Sequence, residues 1–275
     1  MVCMVTSIPL RDGRSVPAIG FGVYKVDDAE AAVAVGTALD AGYRHVDTAE
    51  MYGNETGVGK AIRASGLDRD DVFVTTKVWN TNQGRDETLR AFDASLDRLG
   101  LDAVDLYLIH WPAAANDRYV DTWRALVELR ESGRARSVGV SNFQVPHLER
   151  IIAETGQVPA VNQVERHPWL PQRELIDFHR RHDIVTEAWS PLGRGRLIED
   201  PVLVGIADAH GVSVAQVLVR WNVQQGVVVL PKSVTPSRIR SNIDVDGFAL
   251  TDDELTAIAA LESGQRTGSH PDSVS

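Results

Sequence analysis

From residue 18 onward the chain alternates two hydrophobic rhythms. Short β-branched runs fall at 18–23, 44–47, 72–77, 104–110, 137–140, 160–164, 184–189 and 227–230. Each is followed by a segment whose apolar residues recur at three- and four-residue steps, the period of a helix with one buried face. In 86–100, Leu89, Phe92, Leu96 and Leu99 share such a face and Gly100 supplies the stop. In 120–133, Val120, Trp123, Leu126 and Val127 do the same ahead of Gly133. The last interval is longer, about 38 residues from 189 to 227, and 213–226 reads as an extra helix within it. Upstream, Asp12-Gly13 between extended apolar stretches predicts a two-residue hairpin turn. Beyond Leu261 the tail is polar and predicts irregular structure.

Eight strand–helix units without a proline- or glycine-rich linker predict one α/β domain over 1–275. The expected architecture is a (β/α)8 TIM barrel with an N-terminal β-hairpin and a short irregular C-terminal tail. An open doubly wound sheet is the competing arrangement. Its nucleotide-binding form carries GxGxxG after the first strand, and GFGVYKVDD has the wrong spacing.

Composition narrows the classes. A barrel typically needs about 250 residues, and the chain has 275, with 43% hydrophobic and 24% charged residues, as in a globular protein. A formal net charge of −10 disfavours nucleic acid and anionic membrane as general partners. No run approaches the ~18 apolar residues of a membrane span. The segment MVCMVTSIPL lacks the basic and apolar regions of a signal peptide, so a cytoplasmic location is expected. Cys3, the one cysteine, has no intrachain disulfide partner. Eight scattered histidines without HExxH-type spacing point to no metal site, and the pair Arg180-Arg181 with its flanking histidines reads as an exposed helix end.

In a parallel barrel the chemistry gathers at the carboxyl ends of the strands. Those ends present Asp47, with Tyr52 in the following loop, then Lys77, His110, Ser141, Asn142, Gln163 and Trp189. Taken singly, each has an ordinary structural explanation: a helix cap, an amphipathic cover, a lysine reaching solvent, a hydrogen-bonded histidine, a core tryptophan. Taken together, four of them make one device. A phenol with a pKa near ~10 is a poor acid at neutrality. A lysine beside it lowers that value, and a carboxylate keeps the lysine charged. The order of support is then Asp47–Lys77–Tyr52, with Tyr52 as general acid and His110 orienting a carbonyl oxygen, a contribution of roughly 10²–10⁴ in rate. No Ser-His-Asp or Cys-His grouping supplies a nucleophile, so an external hydride donor is implied. LPKSVTPSRIRSN places Lys232, Ser233, Arg238 and Asn242 at a strand end leading into a helix, where TIM barrels often bind phosphate. A solvated helix face is the alternative.

The blocks GYRHVDTAEMYGNETGVG, TTKVWN, VDLYLIHWP, VGVSNF, VNQVE and LPKSVTPSRIRSN, taken in this order, resemble the aldo-keto reductase family over nearly the whole chain. The resemblance implies an NADPH-dependent carbonyl reductase with Asp47, Tyr52, Lys77 and His110 as its catalytic tetrad. It also implies that Ser141, Asn142 and Gln163 hold the nicotinamide carboxamide and that Trp189 stacks on the ring. Tryptophan at that place is similar to bacterial 2,5-diketo-gluconate reductases. Ser190, Leu192 and Gly193 fall beside the pyrophosphate, Lys232, Ser233, Val234 and Arg238 at the 2′-phosphate, and Asn242 at the adenine. One departure is Ser241, where the family commonly has glutamate, which implies altered adenine contacts and an intact phosphate grip.

Tyr24, Trp79 and Trp111 are expected to wall the substrate pocket. The short 111–119 loop and short tail suggest an open site accepting many aldehydes and ketones. Arg196, Arg266 and His270 read as solvated loop residues, and Glu55 as a structural residue opening a helix. The expected partner is a small carbonyl compound and the expected state a monomer. A physiological alcohol dehydrogenase, a non-catalytic NADPH-sensing subunit and a phosphate-binding barrel isomerase are the alternatives.

Overall fold

The computed structural model describes residues 7–275, so Cys3 and most of the segment read for a signal peptide lie outside the described residues. Strands β1 (Ser7–Pro9) and β2 (Ser15–Pro17) form the expected antiparallel hairpin. Its turn is longer than two residues: Leu10 N–H donates to the Arg14 carbonyl at 2.8 Å, leaving a three-residue loop. Gly13 takes φ +84° there, the left-handed position that such loops require. Leu10 and Val16 pack on Leu106, Leu108, Val161 and Val228, so the hairpin stoppers the lower end of the barrel.

The barrel strands are β3 (Phe21–Gly22), β4 (His45–Asp47), β5 (Phe73–Val78), β6 (Val104–Ile109), β7 (Ala135–Ser141), β8 (Val161–Glu165), β9 (Val185–Trp189) and β10 (Val228–Val229). They run parallel and pair in sequence order. Closure is made by the parallel bridge of Ile19 with Val229, where Gly20 N–H donates to the Val229 carbonyl and Val229 N–H to the Ala18 carbonyl, both at 2.9 Å. The ring therefore closes, and the open doubly wound alternative is excluded. Every residue of β6 is buried, as expected of a strand covered on both faces. Gly20 is a steric requirement of closure, since a Cβ there would lie 2.6 Å from His45 Nδ1 and 2.5 Å from Leu230 Cδ2.

The helices are α1 (Asp28–Asp40), α2 (Glu55–Ala64), α3 (Arg85–Leu99), α4 (Tyr119–Glu131), α5 (Val145–Thr155), α6 (Arg173–Arg181), α7 (Pro201–His210), α8 (Val214–Gln224), α9 (Pro236–Ile243) and α10 (Asp252–Ala259). Gly100 ends α3 at φ +64°, as its position predicts. The extra helix is α7 rather than the 213–226 segment: α8 packs on β10 and α9 as the barrel's seventh outer helix, while α7 packs on α8 and α10. Leu203, Leu218, Leu250 and Ile258 form the separate apolar cluster between these helices. Glu55 opens α2 and is fully buried, accepting from Thr76 Oγ1 at 2.5 Å and Arg98 Nε at 2.7 Å, which ties α2 to β5 and α3.

A further expectation is corrected. Arg180 and Arg181 are exposed, but His179 on the same helix is buried, bonded to Thr186 Oγ1 at 2.8 Å and Asn162 Nδ2 at 2.9 Å. The end of the tail is irregular, as expected, apart from a short 3-10 turn at Pro271–Ser273, and it is docked on the barrel. Glu165 accepts from Thr267 N–H and Oγ1–H, each at 2.5 Å, and the Ser275 carbonyl accepts from Asn80 Nδ2 at 3.2 Å.

Candidate active site

The register of β4 on β5 sets Asp47 opposite Thr75 and puts Lys77 one pleat higher on the same inward face. Lys77 is fully buried and donates to Asp47 Oδ1 at 2.6 Å and to the Thr48 carbonyl at 2.9 Å. Tyr52 rides on the 3-10 turn Glu50–Tyr52, which Gly53 ends at φ +67°. The turn swings the phenol back over the mouth, where its ring meets His110 at 5.6 Å and Tyr24 at 5.1 Å between centroids.

Protonation differs from the expectation in one respect. Tyr52 is pushed well above the usual phenol range by burial and then by the charges of Asp47, Tyr24 and Glu187. These effects outweigh the Lys77 ammonium, which Asp47 offsets at 2.6 Å and which faces the ring, 5.3 Å from its centroid. His110 is held well below its usual value by burial and then by the Lys77 charge, so its imidazole is neutral. Its Nδ1 is buried without a hydrogen-bond partner.

Asn142, at φ +64°, ties three site residues together: its Nδ2 donates to the His110 carbonyl at 2.9 Å and to Ser141 Oγ at 3.1 Å, while its Oδ1 accepts from Trp189 Nε1 at 2.9 Å. Ser141 Oγ donates to the Gln163 carbonyl at 2.9 Å. Gln163 Nε2 donates to Asp47 Oδ2 and to Glu187 Oε2, both at 2.8 Å. The structure thus brings together Asp47, Tyr52, Lys77, His110, Ser141, Asn142, Gln163 and Trp189 at one mouth. Trp79 and Trp111 flank His110 at 5.1 Å and 6.5 Å, and Trp111 reaches Trp189 at 6.5 Å, so these rings and Tyr24, beside Tyr52, gather at the same mouth.

After β9 the chain turns sharply at Ser190 (φ +50°) and Gly193 (φ +56°), with Leu192 half-buried between them. Lys232, Val234 and Arg238 are exposed around the start of α9, and neither cation is in an ion pair among the described residues. Ser233 Oγ accepts from Thr235 N–H at 3.1 Å, Asn242 is buried, and Ser241 Oγ bonds back to the Arg238 carbonyl at 3.3 Å. Two unpaired cations at a helix start fit a phosphate ester. No group of three or more His, Cys, Asp or Glu among the described residues could hold a metal ion. No single helix among them is long and apolar enough to cross a membrane.

Sequence reasoning missed three buried groups. Glu187 and His45 lie beneath the tetrad, with Glu187 Oε1 3.6 Å from His45 Nε2. The signal was present as a carboxylate inside VTEAW and a histidine inside HVD, each sharing strand parity with a candidate site residue, Trp189 and Asp47 respectively. Glu165 is the third: burial opposes its charge, but hydrogen bonds from His167 and Thr267 hold it down to about 2. Arg266 sits half-buried, 3.9 Å from Glu165, and is not the solvated residue expected, whereas Arg196 and His270 are exposed. Gly268 lies against Trp189, where a Cβ would come within 2.5 Å of the indole.

The family model described as Aldo/keto reductase family matches residues 18–263. An aldo-keto reductase of Mycolicibacterium smegmatis is 55% identical over 98% of this chain and 98% of its own. A methylglyoxal reductase DkgA of Yersinia pestis is 47% identical, covering 96% of each chain. Among solved structures, a Gox0644 mutant in complex with NADPH has a TM-score of 0.95 at 47% identity, covering 99% of this chain and all of that one (100%).

Proposed function

The chain belongs to the aldo/keto reductase family, and on that premise we propose that it reduces small aldehydes and ketones to alcohols with NADPH, with Tyr52 as proton donor. The similarity to a methylglyoxal reductase and to an NADPH-bound structure supports α-oxoaldehydes as one substrate class and NADPH as the cofactor. When bound, the cofactor supplies a hydride to the carbonyl carbon.

The chain's own residues do the rest. His110, neutral and aimed from the end of β6, donates a hydrogen bond to the carbonyl oxygen and does not compete as an acid. Tyr52 gives its phenolic proton to the same oxygen as negative charge develops there. Lys77, charged and tied to Asp47, stabilises the phenolate that remains, a demand that arises only after proton transfer. Trp79, Trp111 and Tyr24 keep water from the reacting carbonyl. Ser141, Asn142 and Gln163 seat the carboxamide, Trp189 the ring, Ser190, Leu192 and Gly193 the pyrophosphate. Lys232, Ser233, Val234 and Arg238 seat the 2′-phosphate, and Asn242 the adenine.

The observation that carries this reading is the meeting of the Tyr52 phenol, the His110 imidazole and the Lys77–Asp47 pair at one mouth. The test is loss of NADPH absorbance with a panel of aldehydes, ketones and α-oxoaldehydes. No turnover with any of them, while NADPH still binds, would favour the nucleotide-sensing alternative.

A further inference from the structure

Below Tyr52 the barrel interior carries a polar layer of which the reaction as described uses Asp47, Lys77 and Gln163 but not His45, Thr75 or Glu187. His45 and Asp47 come from β4, Thr75 and Lys77 from β5, Gln163 from β8 and Glu187 from β9. All six are buried. Asp47 and Lys77 offset each other. Glu187 is in no ion pair with a lysine or arginine among the described residues: His45 Nε2 is 3.6 Å from Glu187 Oε1 and bonds Thr75 Oγ1 at 3.0 Å, and His45 is kept neutral, at about 3, mainly by burial. An ionised Glu187 would be a second carboxylate in the buried interior, sharing one amide nitrogen with Asp47. Such a charge is costly enough that the group takes up a proton instead, and burial followed by the Asp47 charge lifts Glu187 to about 8. Oε2 accepts from Gln163, so the proton belongs on Oε1, the atom without a hydrogen-bond partner.

We propose that Glu187 is a positioning residue: by accepting the second N–H of Gln163 it fixes that amide with its carbonyl oxygen toward the mouth, ready for the nicotinamide carboxamide. The geometry leaves little choice. An amide nitrogen has two hydrogens, and here one goes to Asp47 and one to Glu187, both at 2.8 Å. Flipping the amide would set its oxygen against the Asp47 carboxylate, and a single remaining bond would let the plane rotate. The inference rests on the reading that Gln163 meets the nicotinamide.

The same placement has an electrostatic consequence. The groups facing Glu187 are Asp47 and His45 from β4, Lys77 from β5 and Tyr52 from the loop above, with uncharged Gln163 on β8 and Val228 alongside on β10. Burial and then the Asp47 charge lift Glu187 to about 8, so its charge changes on crossing that pH. Its ionisation puts a negative charge under the ring site, which favours the cationic oxidised nicotinamide over the neutral reduced one.

The test is to measure dissociation constants of NADPH and NADP⁺ by fluorescence titration on both sides of pH 8, in the wild type, Glu187→Gln, Glu187→Leu and Gln163→Leu. The 2′-phosphate titrates alike in both cofactors and cancels in their ratio. The wild-type ratio should shift toward NADP⁺ by about tenfold as pH rises, and Glu187→Gln should hold it flat, as expected when the ionisable group responsible is removed. Glu187→Leu should bind NADPH about tenfold more weakly than Glu187→Gln, whose amide oxygen still accepts from Gln163. A Glu187→Gln ratio that tracks the wild type overturns the proposal, as does equal NADPH affinity in the Leu and Gln variants. If Glu187→Leu fails to fold, the pH arm with Glu187→Gln decides alone. Should Gln163→Leu bind NADPH as the wild type does, the seating of the nicotinamide is wrong. Weak binding by Gln163→Leu beside normal binding by Glu187→Leu overturns only the role of Glu187.

Discussion

Lys77 gives its shortest bond to Asp47, at 2.6 Å, and meets Tyr52 across the ring face instead of through a hydrogen bond to its hydroxyl. The pair is therefore a closed unit behind the phenol. Asp47→Asn should leave a buried ammonium without a counter-charge and cost about 3–5 kcal/mol of stability. The combined Asp47→Asn, Lys77→Met variant should recover most of that loss in denaturant titration and still lack turnover. A double variant no more stable than Asp47→Asn would contradict the pairing.

Tyr52→Phe keeps the ring packing against His110 and Tyr24 and removes only the donor. Turnover with any carbonyl substrate should fall by roughly 10²–10⁴, with NADPH affinity retained. Steady-state rates and a binding titration on the same sample check both halves, and undiminished turnover would remove the acid assignment.

His45 and His179 both have folded-state values near 3, mainly through burial, against 6.5 when exposed. Depressed values mean that the unfolded chain binds more protons in between. Their contribution is thus intact above pH 6.5 and is lost as pH falls toward 3. Urea midpoints should decline through that window, and His179→Asn should flatten the decline. An unchanged slope in that variant would count against His179 as a source.

Lys232 is exposed and in no ion pair among the described residues, so its charge is available to a ligand. Lys232→Ala should raise the Michaelis constant for NADPH by about tenfold, in line with loss of one charge-assisted hydrogen bond, and change that for NADH little. Equal effects on both cofactors would remove the 2′-phosphate role.

Asp47, Lys77 and His110 were legible as candidates in the sequence because they stand near the ends of apolar strands, and a polar group at the end of a buried run is conspicuous. Glu187 was not, since within VTEAW a single polar residue reads as one tooth of an ordinary alternation. In a closed barrel, however, both strand faces are buried, so no exposed face exists to receive it. His179 was masked by its charged neighbours: on a helix a step of one residue turns the side chain by about 100°, enough to send His179 inward while Arg180 and Arg181 stay in water. The docking of the tail was invisible for another reason. Thr267 and Gly268 engage Glu165 mainly through backbone N–H groups, which every residue but proline carries and no composition reveals.

The hairpin at the lower end gives the polar column above it a single doorway. With Leu10 and Val16 sealing one end, the buried chain from His45 through Glu187, Gln163 and Asp47 to Lys77 opens toward the mouth alone. In the proposed complex, substrate and cofactor would therefore stand between that chain and bulk water.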